Sequence, residues 1–248
     1  MTEFLIALLA NITIVGVVAA ALVQYRQIDI RLGWLALLLI LFLAYFLALI
    51  LGASLLPLRS WLPDLQWNWG GKLAAVLLWL AILRGLERWK TGFRAADAGF
   101  TLRQAPGSLK PVLVVTGLFL LLQVMLNLLM GDDTSPDRET LLFQLLMPGL
   151  DEEPMFRGVL LYMAGLALAG KRFPVFGASM NWAGLLLVLL FGLVHGIAFQ
   201  QGAWHISPLI VLITGFYGLV LLWLRERSGS LVMPILAHNL VNFVGQLV

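Results

Sequence analysis

The run GWLALLLILFLAYFLALILGASLL, residues 33–56, contains no charged side chain. A stretch of about 20 predominantly apolar residues is long enough to cross the hydrocarbon core of a bilayer as an α-helix. The whole chain of 248 residues shares this bias, with 61% hydrophobic residues, 12% charged residues and a mean hydropathy of +0.95. A soluble domain is closer to one-half apolar and one-quarter charged. We therefore predict an all-α fold, a polytopic transmembrane helical bundle.

Similar apolar blocks recur along the chain and predict about eight spans, which together make one integral-membrane domain over residues 1–248. The predicted spans are 4–24, 33–56, 72–86, 111–131, 140–169, 182–200, 207–224 and 230–248. The lipid bilayer is thus the first predicted partner of the protein.

The basic residues lie mainly in the short loops between spans, which favours an orienting role over the binding of nucleic acid. Twelve of them fall on one predicted side of the membrane, and only Arg59, Lys72 and Arg138 fall on the other. That second side also carries an acidic run: Asp132, Asp133, Asp137 and Glu139. The positive-inside rule then predicts that both termini face outward. The absence of cysteine excludes disulfides and thiolate catalysis.

A small set of ionisable residues remains inside the predicted spans, together with one notable amide. An ionisable side chain inside a span costs at least ~2.5–3.5 kcal/mol on insertion scales, so it normally faces a partner or a water-filled cavity. We therefore expect these side chains to meet one another. The set is Asp151, Glu152, Glu153, Arg157, His195, His238 and the neutral Asn242.

The segment LDEEPMFRGVL, residues 150–160, concentrates most of these charges. Pro148 and Gly149 predict a break in the fifth span, and Pro154 suits the first turn of a restarted helix. Glu153 and Arg157 are four residues apart and are expected to pair along one helix face. Glu152 points about 100° away from its neighbour, so it is predicted to be free for chemistry.

The histidines lie on two later spans. His195 follows Phe191 by four residues, and Asn242 follows His238 by four, so each pair shares one helix face. Counted at ~1.5 Å per residue from the basic ends of the spans, Glu152 and the two histidines fall in the middle-to-outer part of the membrane. The sequence therefore permits a common pocket, although each residue alone also suits a purely structural role.

This set of groups supports hydrolysis. A Glu and a His can hold and deprotonate a water molecule, while a second His and an Asn can donate hydrogen bonds to the oxyanion that forms when water adds to a carbonyl. The same Glu/His/His set could instead bind zinc with an open coordination position, which the residues alone leave open. No serine-protease elbow, HExxH motif or phosphate-binding glycine loop is present.

Three motifs resemble one family. EEPMFRG at 152–158 looks like an EExxxR motif, FGLVH at 191–195 like FxxxH, and HNLVN at 238–242 like HxxxN. They occur in this order in the CPBP family of intramembrane glutamic proteases, which includes CAAX prenyl endopeptidases and bacteriocin-processing enzymes (the Abi family). The resemblance covers about 140–248, leaving 1–139 as accessory spans.

The resemblance implies a role for each motif residue. Glu152 and His195 would activate the water, and His238 and Asn242 would stabilise the oxyanion. Glu153, Arg157 and Phe191 would support the site. It also implies an intramembrane endopeptidase that needs no cofactor and cuts a membrane-associated peptide or protein. The compact chain with its short loops favours the plasma (inner) membrane of a prokaryote.

Two other functions fit the same sequence. A self-immunity or scaffold protein could sequester a peptide without cutting it, as a bacteriocin-immunity protein would. A transporter could use the acid and the histidines as a proton relay, but the chain lacks the internal repeat expected of many carriers.

Overall fold

The structure is a computed structural model that describes residues 2–130 and 136–247, so Asp132 and Asp133 of the predicted acidic run lie outside the described residues. It is mostly helical, which confirms the predicted fold class. The helices are α1 (Thr2–Gln24), α2 (Leu32–Leu55), α3 (Leu58–Trp61), α4 (Trp69–Trp89), α5 (Leu109–Met130), α6 (Arg138–Glu153), α7 (Leu161–Ala167), α8 (Trp182–Gly196), α9 (Pro208–Ser228) and α10 (Val232–Val244).

Each of the eight predicted spans coincides with one or more of these helices. Within the part of the chain that the structure describes, five helical segments are long and apolar enough to cross a membrane: Thr2–Gln24, Leu32–Trp61, Trp69–Trp89, Leu109–Met130 and Pro208–Ser228. Helices α8 and α10 are apolar but shorter. The protein is therefore an integral membrane protein.

Within residues 2–130 and 136–247, three two-stranded antiparallel sheets lie between the helices. They pair β1 (Ile28–Ile30) with β2 (Leu168–Gly170), β3 (Arg172–Val175) with β4 (Ala178–Asn181), and β5 (Ile197–Gln200) with β6 (Ala203–Ile206).

These strands shorten two predicted spans. The predicted spans 140–169 and 182–200 extended too far, because the helices end at Ala167 and Gly196 and the chain then enters β2 and β5. The β5–β6 turn has positive φ at both Gln201 and Gly202, as a tight hairpin requires. The helix that carries His195 thus ends at Gly196, and the hairpin that follows stays in contact with α1, where the Gly202 N–H donates to the Glu3 carboxylate at 2.9 Å.

Helix α6 runs through Pro148 instead of breaking there, so the predicted break was wrong. Proline cannot donate the hydrogen bond that holds an α-helical turn, and its ring disturbs the turn before it. Asn239 of α10 stabilises this point, because its Oδ1 accepts the Gly149 N–H at 2.7 Å and its Nδ2 donates to the Leu146 carbonyl at 3.2 Å. The same bonds tie α6 to α10.

The prediction for Pro154 was also wrong. Pro154 does not restart a helix; it opens a π-helical segment, Pro154–Leu160, that leads directly into α7. Such wide turns arise where the regular ladder of hydrogen bonds is interrupted, and they occur frequently at functional sites. Arg157 lies within this segment, with its side chain buried.

Polar contacts join the start of α6 to the segment before α4. Asp137 caps α6, and the hydrogen bond from the Thr140 N–H to its carboxylate (2.7 Å) holds the pKa of that carboxyl below its usual value. The Glu139 carboxylate accepts hydrogen bonds from the backbone N–H groups of Gln66 and Trp67 and from the Trp69 indole. These contacts hold the beginning of α4 against α6.

Glycines allow α4 to approach α2 closely. A methyl group on Gly71 would lie 2.2 Å from the Leu49 carbonyl oxygen, and one on Gly70 would lie 2.3 Å from the Leu56 carbonyl oxygen. Small residues permit this kind of backbone approach between membrane helices. Gly85, on the same helix, has open space around the corresponding position.

This contrast gives a stability prediction. We expect Gly71→Ala to lower the free energy of unfolding in detergent by about 1–3 kcal/mol, because backbone atoms of α2 must move to admit the methyl group. Gly85→Ala, the matched control, is expected to leave stability unchanged or raise it by up to ~1 kcal/mol, since alanine favours the helix. Thermal unfolding of the two purified variants tests this, and equal melting temperatures would contradict the close approach.

Candidate active site

The predicted pair of Glu153 and Arg157 is present and lies at the centre of a buried network. Arg157 Nη1 lies 2.9 Å from Glu153 Oε1, and His238 Nδ1 lies 2.8 Å from the same oxygen. Glu153 is fully buried. The Glu153 carboxylate therefore links the end of α6 to the π-helical segment and to α10. This link fixes the His238 ring relative to the EExxxR motif.

Phe191 brings the two histidines together. Its ring centroid lies 4.5 Å from that of His195 and 6.5 Å from that of His238. The Arg157 guanidinium carbon lies 4.2 Å from the Phe191 ring centroid, a cation–π arrangement. Arg157 Nη2 also donates to the Gly218 carbonyl of α9 at 3.3 Å. Residues from all three sequence motifs thus pack around one aromatic ring.

The contacts of the two histidines define which nitrogen each one presents. His195 Nδ1 lies 2.7 Å from the Phe191 carbonyl oxygen, which can only accept, so Nδ1 carries the hydrogen. His238 Nδ1 meets the Glu153 carboxylate in the same way. Both rings therefore leave Nε2 for other partners. His238 is largely buried, whereas His195 is exposed at the C-terminal end of α8.

The prediction that Glu152 is free was wrong, because its carboxylate forms an ion pair with Lys72. The Lys72 Nζ lies 2.7 Å from Glu152 Oε1, and about one-seventh of each side chain is exposed (14% and 15%). Glu152 also lies within electrostatic range of both His238 and His195. The structure thus brings the acid and the two histidines into one neighbourhood, with a cation added.

Asp151 holds the other side of Lys72. The Lys72 Nζ lies 2.9 Å from Asp151 Oδ1, and the Tyr45 hydroxyl donates to Asp151 Oδ2 at 2.9 Å. Asp151 is fully buried, and Tyr45 is almost completely buried. Three adjacent acids therefore have three different environments, and among them only Glu152 is partly exposed.

Lys72 and Tyr45 were missed as site residues. The assignment of Lys72 to the loop charges was wrong, because α4 begins at Trp69 and Lys72 lies in its first turn with its side chain directed at two carboxylates. A usable signal was present: Lys72 directly precedes the apolar run LAAVLLWLAIL. Tyr45 carried no comparable signal, since it lies within an uninterrupted apolar stretch.

Asn242 lies one turn beyond His238 on α10 and is half-buried. Positions four residues apart share a helix face, so its amide lies on the same side of α10 as the His238 ring. Among residues 2–130 and 136–247, the Asn242 side chain makes no hydrogen bond. The structure therefore leaves its amide donors available on that face.

The described residues contain no group of three or more His, Asp or Glu side chains arranged to hold a metal ion. Glu152, the partly exposed acid of the three, is already paired with an ammonium. A cation bound at Glu152 would be repelled by Lys72 at this short range.

The structure is thus a helical membrane bundle with a buried network of acid, histidine and arginine side chains. Residues 138–244 match the family described as "Type II CAAX prenyl endopeptidase Rce1-like". Residues 138–244 therefore resemble an Rce1-like domain, which confirms the resemblance to CPBP proteases over that part of the chain. Neither the curated proteins nor the solved structures gave a match to the chain.

Proposed function

We propose that the protein is a glutamic intramembrane endopeptidase, which hydrolyses a peptide bond of a membrane-associated peptide or protein by direct attack of water. The observation that carries the proposal is the position of the three sequence motifs around Phe191 and Glu153, with Glu152 on the partly exposed side. The membrane is proposed to be the plasma membrane of a prokaryote.

Glu152 and His195 are proposed to activate the water. Glu152 Oε1 is engaged by Lys72, which leaves Oε2 to accept a hydrogen bond from water. His195 donates through Nδ1 to a backbone carbonyl, so the neutral ring offers the Nε2 lone pair to the same water. A positioned base of this kind contributes about 10²–10⁴-fold to a rate.

His238 and Asn242 are proposed to stabilise the oxyanion. When both ring nitrogens carry hydrogen, the His238 imidazolium pairs with Glu153 through Nδ1 and directs Nε2–H outward. The Asn242 amide adds a second donor from the same face of α10. Glu153, Arg157 and Phe191 hold these groups in position without contacting the substrate. Preorganised donors aimed at a developing oxyanion contribute about 10²–10³-fold each.

The proposed mechanism uses no metal and no cofactor. The Lys72 ammonium on Glu152 favours activation of water over coordination of zinc, because it occupies one oxygen of the carboxylate and would repel the metal ion. The substrate is proposed to be a prenylated CAAX peptide or another membrane-associated peptide, following the description of the family.

A reconstituted assay tests the proposed function. The full chain, purified into liposomes, would be given a quenched fluorescent peptide ending in a farnesylated CAAX sequence, alongside the same peptide without the lipid. We expect cleavage of the farnesylated peptide, located by mass spectrometry, that is insensitive to EDTA. Binding of the farnesylated peptide without any product would instead support the peptide-sequestering alternative and contradict the protease.

A further inference from the structure

We propose that Lys72 is a positioning residue of the active site. Tyr45, Asp151 and Lys72 form a network of polar contacts that fixes the Glu152 carboxylate. This inference rests on the proposed role of Glu152 as the base. It assigns part of the site to α2 and α4, which lie outside the 138–244 region that matches the family.

The first observation is the position of the ammonium group. Lys72 is mostly buried, and its Nζ contacts two carboxylates at 2.7 and 2.9 Å. A lysine inside a span is costly unless it is paired, so a cation retained here has specific partners. One positive charge is shared between two acids, so the ammonium and the two ionised carboxylates together carry a net charge of −1.

The second observation is the asymmetry between those acids. Asp151 is fully buried, and both of its oxygens are occupied, Oδ1 by Lys72 and Oδ2 by the Tyr45 hydroxyl. It therefore cannot reach a substrate and serves to anchor the ammonium. Glu152 uses only one oxygen on Lys72 and remains partly exposed, so it is the acid that the anchored ammonium holds towards the site.

The third observation explains how a residue near the start of α4 reaches α6. The close approach of Gly70 and Gly71 to α2 brings the first turn of α4 beside Leu49, one helical turn beyond Tyr45. Glu139 meanwhile binds Trp67 and Trp69 just ahead of that turn. The Lys72 position is thus fixed from both neighbouring helices, as expected for a group that orients another.

These contacts restrict the conformation of the Glu152 side chain. A carboxylate held through one oxygen by an ion pair keeps a defined rotamer and presents the second oxygen in a constant direction. Charge-assisted hydrogen bonds are about twice as strong as neutral ones and are directional. Loss of the ammonium should therefore affect the chemical step more than substrate binding.

The test compares Lys72→Met and Lys72→Arg with Lys90→Met, a lysine at the opposite end of α4 that faces the Tyr162 ring. We expect Lys72→Met to lower kcat for the farnesylated peptide by about 10–100-fold with less than about threefold change in KM, as for the loss of a charged hydrogen bond. Lys72→Arg should recover at least part of the loss, and Lys90→Met should match the wild type.

A second variant covers the case in which Lys72→Met does not fold, because that change leaves Asp151 buried without its cation. Lys72→Met combined with Asp151→Asn removes one charge of each sign and is expected to fold while retaining the low kcat. Glu152→Gln, assayed in parallel, separates the two proposals. If Glu152→Gln is inactive but either Lys72 variant, single or double, is fully active, the positioning role of Lys72 alone is overturned. If Glu152→Gln is active, the proposed function is overturned.

Discussion

Glu152→Gln is expected to reduce cleavage of the farnesylated peptide by about 10³-fold or more, with little change in KM. The amide has nearly the same shape as the carboxylate, and its carbonyl oxygen can still accept a hydrogen bond from Lys72. It cannot take a proton from water, however, so the loss falls on the chemical step. Initial rates over a range of peptide concentrations in liposomes provide the measurement.

The matched control for this change is Glu87→Gln. Glu87 forms an exposed ion pair with Arg84 on α4, far along the helix from Lys72, so its variant is expected to retain wild-type rates. Size-exclusion profiles and melting temperatures of both variants should match the wild type. A folded Glu152→Gln protein that cuts at more than a tenth of the wild-type rate would remove Glu152 from the mechanism.

Glu153→Gln is expected to have the largest effect on stability. The buried Arg157 would lose its only carboxylate among the described residues, and His238 would lose the acceptor of its Nδ1–H. Removing one partner of a buried ion pair typically costs about 3–5 kcal/mol, because the remaining charge is left uncompensated. The unfolding free energy, measured by titration with a denaturing detergent, should fall by this amount.

The exposed pair of Arg84 and Glu87 is the control for this stability measurement. Glu87→Gln breaks a pair whose arginine side chain is 78% exposed, and surface pairs of this kind contribute about 0–1 kcal/mol. A Glu153→Gln variant with the stability of Glu87→Gln would mean that the buried network does not hold α6 and α10 together.

The sequence predicted the parts of this site that follow from spacing within one helix. Glu153 and Arg157 pair because residues four apart share a face, and Phe191 contacts His195 for the same reason. The ordered motifs also identified the helices that meet. The contact between Glu153 and His238 could not be derived, because the sequence did not show which of two adjacent glutamates faces α10.

Other features depended on distant parts of the chain. The course of α6 through Pro148 depends on Asn239, some ninety positions further on. The partner of Glu152 comes from α4, where a lysine near a predicted span end looked like one more orienting charge. The glycine contacts between α2 and α4 place Lys72 next to Glu152, and these contacts depend on how the two helices pack, which the sequence does not show.

A structure of the full chain in a lipid environment, with ordered solvent resolved, tests the central claim most directly. We expect one water molecule within hydrogen-bond distance of both the Glu152 carboxylate and His195 Nε2, with the Lys72 ammonium on the opposite Glu152 oxygen. A His195 ring turned towards lipid, with no water shared between it and Glu152, would contradict this claim.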